Sequence, residues 1–149
     1  MELQKEIEIS QFENIYQQAM VNVVFTSGWC NDQLKKVLLV YEITNQQFNI
    51  LRILRGQYPD PSTINLLKTR MLDKMCDASR IVDRLVQKGH VMKSIRPSDK
   101  RAVDIRITKT GLALLRQIDD EVDLSSIISP NLTADETVQL NRLLDKMRG

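Results

Sequence analysis

Two cysteines, Cys30 and Cys76, and one histidine, His90, are all that this 149-residue chain holds of thiol and imidazole. They are too few for a disulfide framework or a structural zinc site, and two free thiols suit a reducing compartment. The five glycines, Gly28, Gly56, Gly89, Gly111 and Gly149, are scattered, so no phosphate-cradling loop exists. A lone histidine leaves no Ser/His/Asp network and no HExxH metal site. No catalytic residue, metal or cofactor is therefore expected. No apolar run approaches the ~20 residues that cross a bilayer. The opening Met1, Glu2, Leu3, Gln4, Lys5, Glu6 is acidic and polar, unlike a signal peptide, so a cytoplasmic protein without membrane contact is expected. Aromatics are sparse at 5%, but with 42% hydrophobic residues disorder is excluded and one ordinary globular domain, 1–149, is expected. A chain of this length buries about two-thirds of the surface it exposes when unfolded.

Net charge is only +2, yet its distribution is uneven. Residues 1–61 are net −2 and residues 110–149 net −3, whereas residues 62–109 carry twelve basic against five acidic side chains, net +7. A basic middle between acidic ends fits a polyanion-binding module set between two assembly segments, although a solvated face would carry the same signal.

From Phe12, the positions Phe12, Ile15, Tyr16, Ala19, Met20, Val23 and Val24 follow helical spacing, and Gly28 is expected to end that helix. Asp32 then caps a second piece, with Leu34, Val37, Leu38 and Tyr41 widened by Leu39 and Val40 into a surface that needs more than one neighbour. Thr44, Asn45, Gln46, Gln47 fit a capping box ahead of Phe48, Leu51 and Leu54. Gly56 and Pro59, Asp60, Pro61 break the chain, and Ser62 or Thr63 caps a helix carrying Ile64, Leu67 and Met71.

After a short turn at Asp73 to Cys76, Asp77 stands at the start of a helix whose apolar face is Ala78, Ile81, Val82 and Leu85. Its polar face is Ser79, Arg80, Asp83, Arg84, Gln87 and Lys88, and Gly89 is a left-handed C-cap. A short helix, a tight turn and a second helix with Ser and Arg near its exposed start have the order of a helix-turn-helix. The period then changes to 2: Val91 to Ile95 predicts one strand, and Val103, Ile105 and Ile107 a second, around a cationic tip of Arg96, Pro97, Ser98, Asp99, Lys100 and Arg101. A helix-turn-helix followed by a basic hairpin is a winged helix. Thr108 caps a helix with Leu112, Leu115, Ile118 and Val122, and Thr133, Ala134, Asp135, Glu136 make a second capping box before Leu140, Leu143, Leu144 and Met147. The fold class is thus mainly α with a small β-hairpin.

Gln47-Phe48 with Leu51 and Leu54, Thr63, Ser79-Arg80-Ile81-Val82-Asp83-Arg84-Leu85, Lys88-Gly89, Asp99-Lys100-Arg101 and Ile107-Thr108 with Gly111 together resemble the MarR family of bacterial winged-helix transcription regulators. The match runs in register over about residues 44–115. His90 stands where that family usually has Leu, and Lys93 where Arg is common. The resemblance implies a homodimer in which dimerisation helices, residues 10–43 and 109–149, interlock around the winged helix-turn-helix lobe, residues 44–108. It further implies a palindromic duplex-DNA operator, with the second helix in the major groove and the wing along the minor groove. Release by a small phenolic or lipophilic effector, or by cysteine oxidation, is implied as well. The function expected is that of a dimeric, sequence-specific regulator, most often a repressor.

The candidate DNA contacts are Thr63, Lys74, Asp77, Ser79, Arg80, Arg84, Lys93, Arg96, Asp99, Lys100 and Arg101. Arginine on the exposed start of the second helix can reach phosphates or the guanine O6 and N7 edge, and Arg101 resembles the family's minor-groove arginine, with Asp99 holding its guanidinium or the hairpin in place. Lys93, Arg96 and Lys100 are expected on the DNA backbone. The competing, less favoured arrangement is a surface ion pair, Asp99 with Arg101 or Arg80 or Arg84 with Asp77 or Asp83. Tyr16, Trp29, Tyr41 and Phe48 are candidates for an effector cavity, although aromatics at helical spacing are more often core. Cys76 is a candidate redox site beside the second helix, but a small buried side chain, as also for Cys30, is the commoner arrangement. Met71 and Met75 are expected as core filler, and His90 as packed or partly exposed. An alternative function is a winged-helix module for protein or RNA without sequence-specific DNA binding. Such a module would show apolar residues on the outer face of the second helix, where Ser79, Arg80, Asp83 and Arg84 stand instead.

Overall fold

The computed structural model describes residues 2–8 and 11–149; Met1, Ile9 and Ser10, and with Ser10 the start of the expected 10–43 segment, lie outside the described residues. In chain order come α1 (Leu3–Glu6), α2 (Ile15–Leu38), a 3₁₀ turn (Leu39–Tyr41), α3 (Asn45–Gln57), α4 (Ile64–Arg70) and α5 (Ala78–Gln87). The hairpin β1 (Val91–Arg96) and β2 (Asp99–Ile107) follows, then α6 (Lys109–Glu121), a second 3₁₀ turn (Leu124–Ile127) and α7 (Ala134–Arg148). The described residues divide into two compact units, Lys35–Val122 and Met1–Leu34 with Asp123–Gly149.

The Lys35–Val122 unit holds the core. α3 starts at the foreseen capping box, with the Gln47 amide donating to Thr44 Oγ1 and the Thr44 amide donating to Gln47 Oε1, each at 3.1 Å. It then buries Phe48, Ile50, Leu51 and Leu54 and packs on α4, α5, α6 and β2. Burying four large apolar side chains stabilises the unit by roughly 1.5–3 kcal/mol each. β1 and β2 pair antiparallel from Val91↔Ile107 to Ile95↔Val103. Ser62 adds a further rung, its amide donating to the Ile105 carbonyl at 2.8 Å and its carbonyl accepting from Ile105 at 2.9 Å. The wing turn is tighter than the sequence suggested. Only Pro97 and Ser98 turn, because Asp99 already pairs with Arg96, and the register slips so that Lys100, Arg101 and Ala102 form a bulge in β2.

α5 ends as expected. Gly89 has φ +77°, its amide reaches the Val86 carbonyl at 2.9 Å and the His90 amide reaches the Leu85 carbonyl at 3.0 Å, a Schellman motif. α6 begins on that same cap. Thr108 Oγ1 donates to the Gly89 carbonyl at 2.7 Å and the Thr108 amide to the His90 carbonyl at 3.0 Å. Gly111 follows because nothing larger fits: a Cβ there would lie 2.4 Å from the His90 carbonyl oxygen and 2.8 Å from Ile107 Cγ1.

Four expectations are corrected. α2 begins at Ile15, not Phe12, because Asn14 Oδ1 accepts the amides of Tyr16 and Gln17, each at 2.9 Å. It also runs unbroken through Gly28 and Asp32. A mid-helix glycine costs only about 0.5–1 kcal/mol, less than orphaning the amides and carbonyls of two new helix ends. Leu39 and Val40 are exposed rather than covered, and Met75 is 94% exposed while Met71 is buried as expected. The chain turns between them, so helical spacing does not carry Met75 back to the core.

Candidate nucleic-acid interface

The helix-turn-helix is built from the core outward. Thr63 caps α4, accepting the Leu66 amide at 3.2 Å, and buried Met71 anchors the chain where α4 ends. The turn is then braced against α3: the Leu72 amide donates to Asn49 Oδ1 at 2.9 Å, and Gln46 Nε2 donates to Asp73 Oδ2 at 2.8 Å. The other oxygen of Asp73 accepts the Met75 amide at 3.0 Å, and Lys74 Nζ donates to the Thr69 carbonyl. Asp77 caps α5 through the Arg80 amide at 3.1 Å. With Ala78, Ile81, Val82 and Leu85 buried, α5 turns Arg80, Asp83 and Arg84 to solvent and leaves Ser79 half-buried. Thr63, Asp77 and Lys74 thus each have a local hydrogen bond that shapes the motif.

The cations divide into two sets. Lys93 of β1 pairs with Asp83 of α5, tying the wing to that helix. Arg96 clamps the buried Asp104 through Nε at 3.1 Å and Nη2 at 2.8 Å, while Arg106 stands 3.6 Å from the other oxygen. A buried carboxylate needs such neutralisation. Among the described residues, Arg80, Arg84, Lys100 and the Arg101 guanidinium have no ion-pair or hydrogen-bond partner. Of the two roles expected of Asp99, it takes the second, holding the hairpin rather than the Arg101 guanidinium. Its Oδ1 accepts the Arg101 backbone amide at 3.0 Å, stiffening the bulge and leaving the guanidinium exposed. Asp77 and Asp83 likewise do not pair with the arginines of α5. Unpaired cations are thus present both on α5 and on the wing, where a polyanion can displace counterions.

The candidate effector residues fall in both units. Phe48 is core, 4% exposed, with the Arg52 guanidinium 5.6 Å from its ring centre. Tyr41 donates its hydroxyl to Glu121 at 2.7 Å, which raises the phenol's pKa and, with Gln117, lowers that of the carboxyl. Tyr16 is exposed, and Trp29 lines a cleft of about 200 Å³ with Leu3, Glu6, Asn22, Phe25 and Thr26. Cys30 is exposed on α2. Cys76 is half-buried, and burial together with the Asp73 carboxylate pushes its thiol pKa up, which disfavours the reactive thiolate. His90 keeps a buried Nδ1 without a hydrogen-bond partner, and burial, helped by Lys88, pulls its pKa down. Among the described residues no cluster of His, Cys, Asp or Glu can hold a metal, and no helix is long and apolar enough to cross a membrane.

Sequence reasoning missed the Asp104 clamp and the bracing of the turn by Gln46 and Asn49. Strict alternation put Asp104 on the polar face, and only its position between Arg96 and Arg106 in the folded hairpin reveals a buried acid. Gln46 and Asn49 carried no signal, since their partners lie 27 and 23 residues away.

A model of the MarR family matches residues 43–103. The chain is 35% identical over 116 residues to the multiple antibiotic resistance protein MarR of Escherichia coli, covering 76% of this chain and 79% of that protein. It is 29% identical over 117 residues to the HTH-type transcriptional regulator PecS of Dickeya dadantii, covering 76% of this chain and 70% of that one. A crystal structure of a mutant Escherichia coli MarR complexed with operator DNA is similar at a TM-score of 0.73 and 30% identity, covering 99% of each chain.

Proposed function

This chain belongs to the MarR family, whose members are transcription regulators and not enzymes, and from that premise we propose that it is a homodimeric repressor of a palindromic operator. Residues 44–108 are the DNA-reading lobe, residues 10–43 and 109–149 supply dimerisation, and a small lipophilic effector releases the complex. The observation that carries the reading is the set of unpaired cations, Arg80 and Arg84 on α5 with Lys100 and Arg101 on the wing, set apart from the internally paired Lys93 and Arg96. The operator complex of the Escherichia coli relative supports it. Duplex DNA as partner implies a cytoplasmic location.

The four free cations of α5 and the wing, on each of two copies, give about eight phosphate contacts, so log affinity falls against log salt with a slope near −7. Binding to duplexes tiled across the DNA upstream of the gene is expected to weaken about 10⁴-fold between about 50 and 200 mM salt. A loss smaller than about tenfold overturns the reading. Arg80→Ala relaxes base preference, whereas Lys100→Ala weakens all duplexes evenly and lowers the slope. For release, a panel of simple phenols and benzoates is added to the complex while Trp29, the chain's one tryptophan, reports binding by fluorescence. A panel that changes neither fluorescence nor DNA affinity removes the effector from the reading.

A further inference from the structure

Met75 is 94% exposed, and it is exposed on a segment that has little freedom to move. The turn holding it is fastened at Asn49 and Gln46 of α3, at Asp73 through its own amide, and at the buried Met71. Water around a large apolar side chain is unfavourable, and a braced turn that keeps one there presents it for contact. Its charged neighbours are engaged by the turn itself: Lys74 donates to the Thr69 carbonyl, and the Asp73 carboxylate accepts from Gln46 and from the Met75 amide.

We propose that Met75 is a specificity residue that packs on the 5-methyl group of a thymine in the major groove of bound DNA. The proposal rests on the DNA-binding reading above and deepens it. Met75 lies two residues before Asp77, the N-cap of α5, at the helix end that carries Ser79 and Arg80. In a helix-turn-helix that end meets base edges. Among the groups those edges present in the major groove, the apolar one is the thymine methyl. Met is unbranched and polarizable and can follow such a target across a groove wall. The net +7 of residues 62–109 favours duplex DNA over an apolar protein surface as the occupant.

The test begins with selection of tight duplexes from a library randomised over about 20 base pairs, two half-sites of one helical turn each. The winner is then resynthesised with single thymines replaced by deoxyuridine, which removes the methyl alone. Full-length protein is expected to lose about fourfold in affinity per half-site at one thymine position. Met75→Ala and Met75→Gln are expected to lose the same factor on the thymine duplex and nothing further on the deoxyuridine duplex. Leu72→Ala, changing the other exposed apolar residue of the turn, is expected to retain the discrimination. Because Met75 contributes nothing to the core, circular dichroism of both variants should match the parent. The proposal is overturned if Met75→Ala binds the selected duplex as the parent does, if it still distinguishes deoxyuridine, or if Leu72→Ala alone abolishes the effect. Failure to enrich any duplex overturns instead the DNA-binding reading, and this proposal with it.

Discussion

At the scale of single residues, two glycines in one unit make opposite predictions for the same substitution. A methyl at Gly111 would collide with the His90 carbonyl and with Ile107, so α6 must shift off the cap of α5; Gly111→Ala should cost about 1–3 kcal/mol. Gly56 lies near the end of α3, where an added methyl would have nothing within 4 Å, and Gly56→Ala should stabilise by about 0.5–1 kcal/mol. Urea denaturation of the two variants measures both, and equal effects would refute the steric account. His90 sits on the same cap and makes a pH prediction. Burial favours its neutral form, so its folded pKa lies below the usual imidazole value of about 6.5. Its folded and unfolded states then bind protons alike above that value. As pH falls below it the unfolded chain takes up a proton first, and stability declines until the folded pKa is passed. His90→Leu should flatten the decline that sets in below about pH 6.5, read as melting temperature against pH. An unchanged slope would exclude His90 as its source.

At the scale of elements, what could be read from the chain was whatever local chemistry decides. Thr44, Asp77, Thr108 and Thr133 each bond an amide three residues on, and Gly89 takes a left-handed backbone, so the starts of α3, α5, α6 and α7 and the end of α5 were legible. What could not be read depends on partners distant in sequence or on a balance of small energies. Gly28 signals a helix end, but the continuing ladder of α2 outweighs one glycine. Met75 keeps helical spacing from Met71, but the chain has left the helix by then. The basic segment was legible as composition, yet composition does not tell Lys93 and Arg96, which neutralise Asp83 and Asp104, from Arg80 and Arg101, which neutralise nothing. The wing-to-helix pair carries its own prediction. Asp83→Asn releases Lys93 beside the proposed DNA surface, so the salt slope of operator binding should steepen by about one per copy, with affinity rising at low salt. A slope that stays fixed would mean that Lys93 faces away from the phosphates.

At the scale of the whole molecule, the distribution of burial argues for a second copy. Every buried residue among those described lies between Leu38 and Ile118. The other unit leaves Ile15, Tyr16, Met20 and Val24 of α2 and Val138, Leu143 and Met147 of α7 exposed, although both helices are regular and α7 has a complete capping box. Helices of this length owe most of their stability to a packed apolar face, and large exposed apolar patches mark association surfaces. An isologous dimer would cover these faces with their own counterparts. The full chain should therefore sediment as a dimer at micromolar concentration, and Val24→Glu combined with Leu143→Glu should sediment as a monomer. Because the core lies in Lys35–Val122, the monomer should keep the circular dichroism of that unit. Its DNA affinity should fall much further than its fold does: joining two reading lobes raises the effective concentration of the second, and losing that link costs about 10²–10⁴-fold on a two-half-site duplex. On a duplex with one half-site, parent and variant should bind within a few-fold of each other. A double variant that remains dimeric, or a monomer that binds the palindrome as tightly as the parent, would show that these exposed faces do not join the two reading lobes.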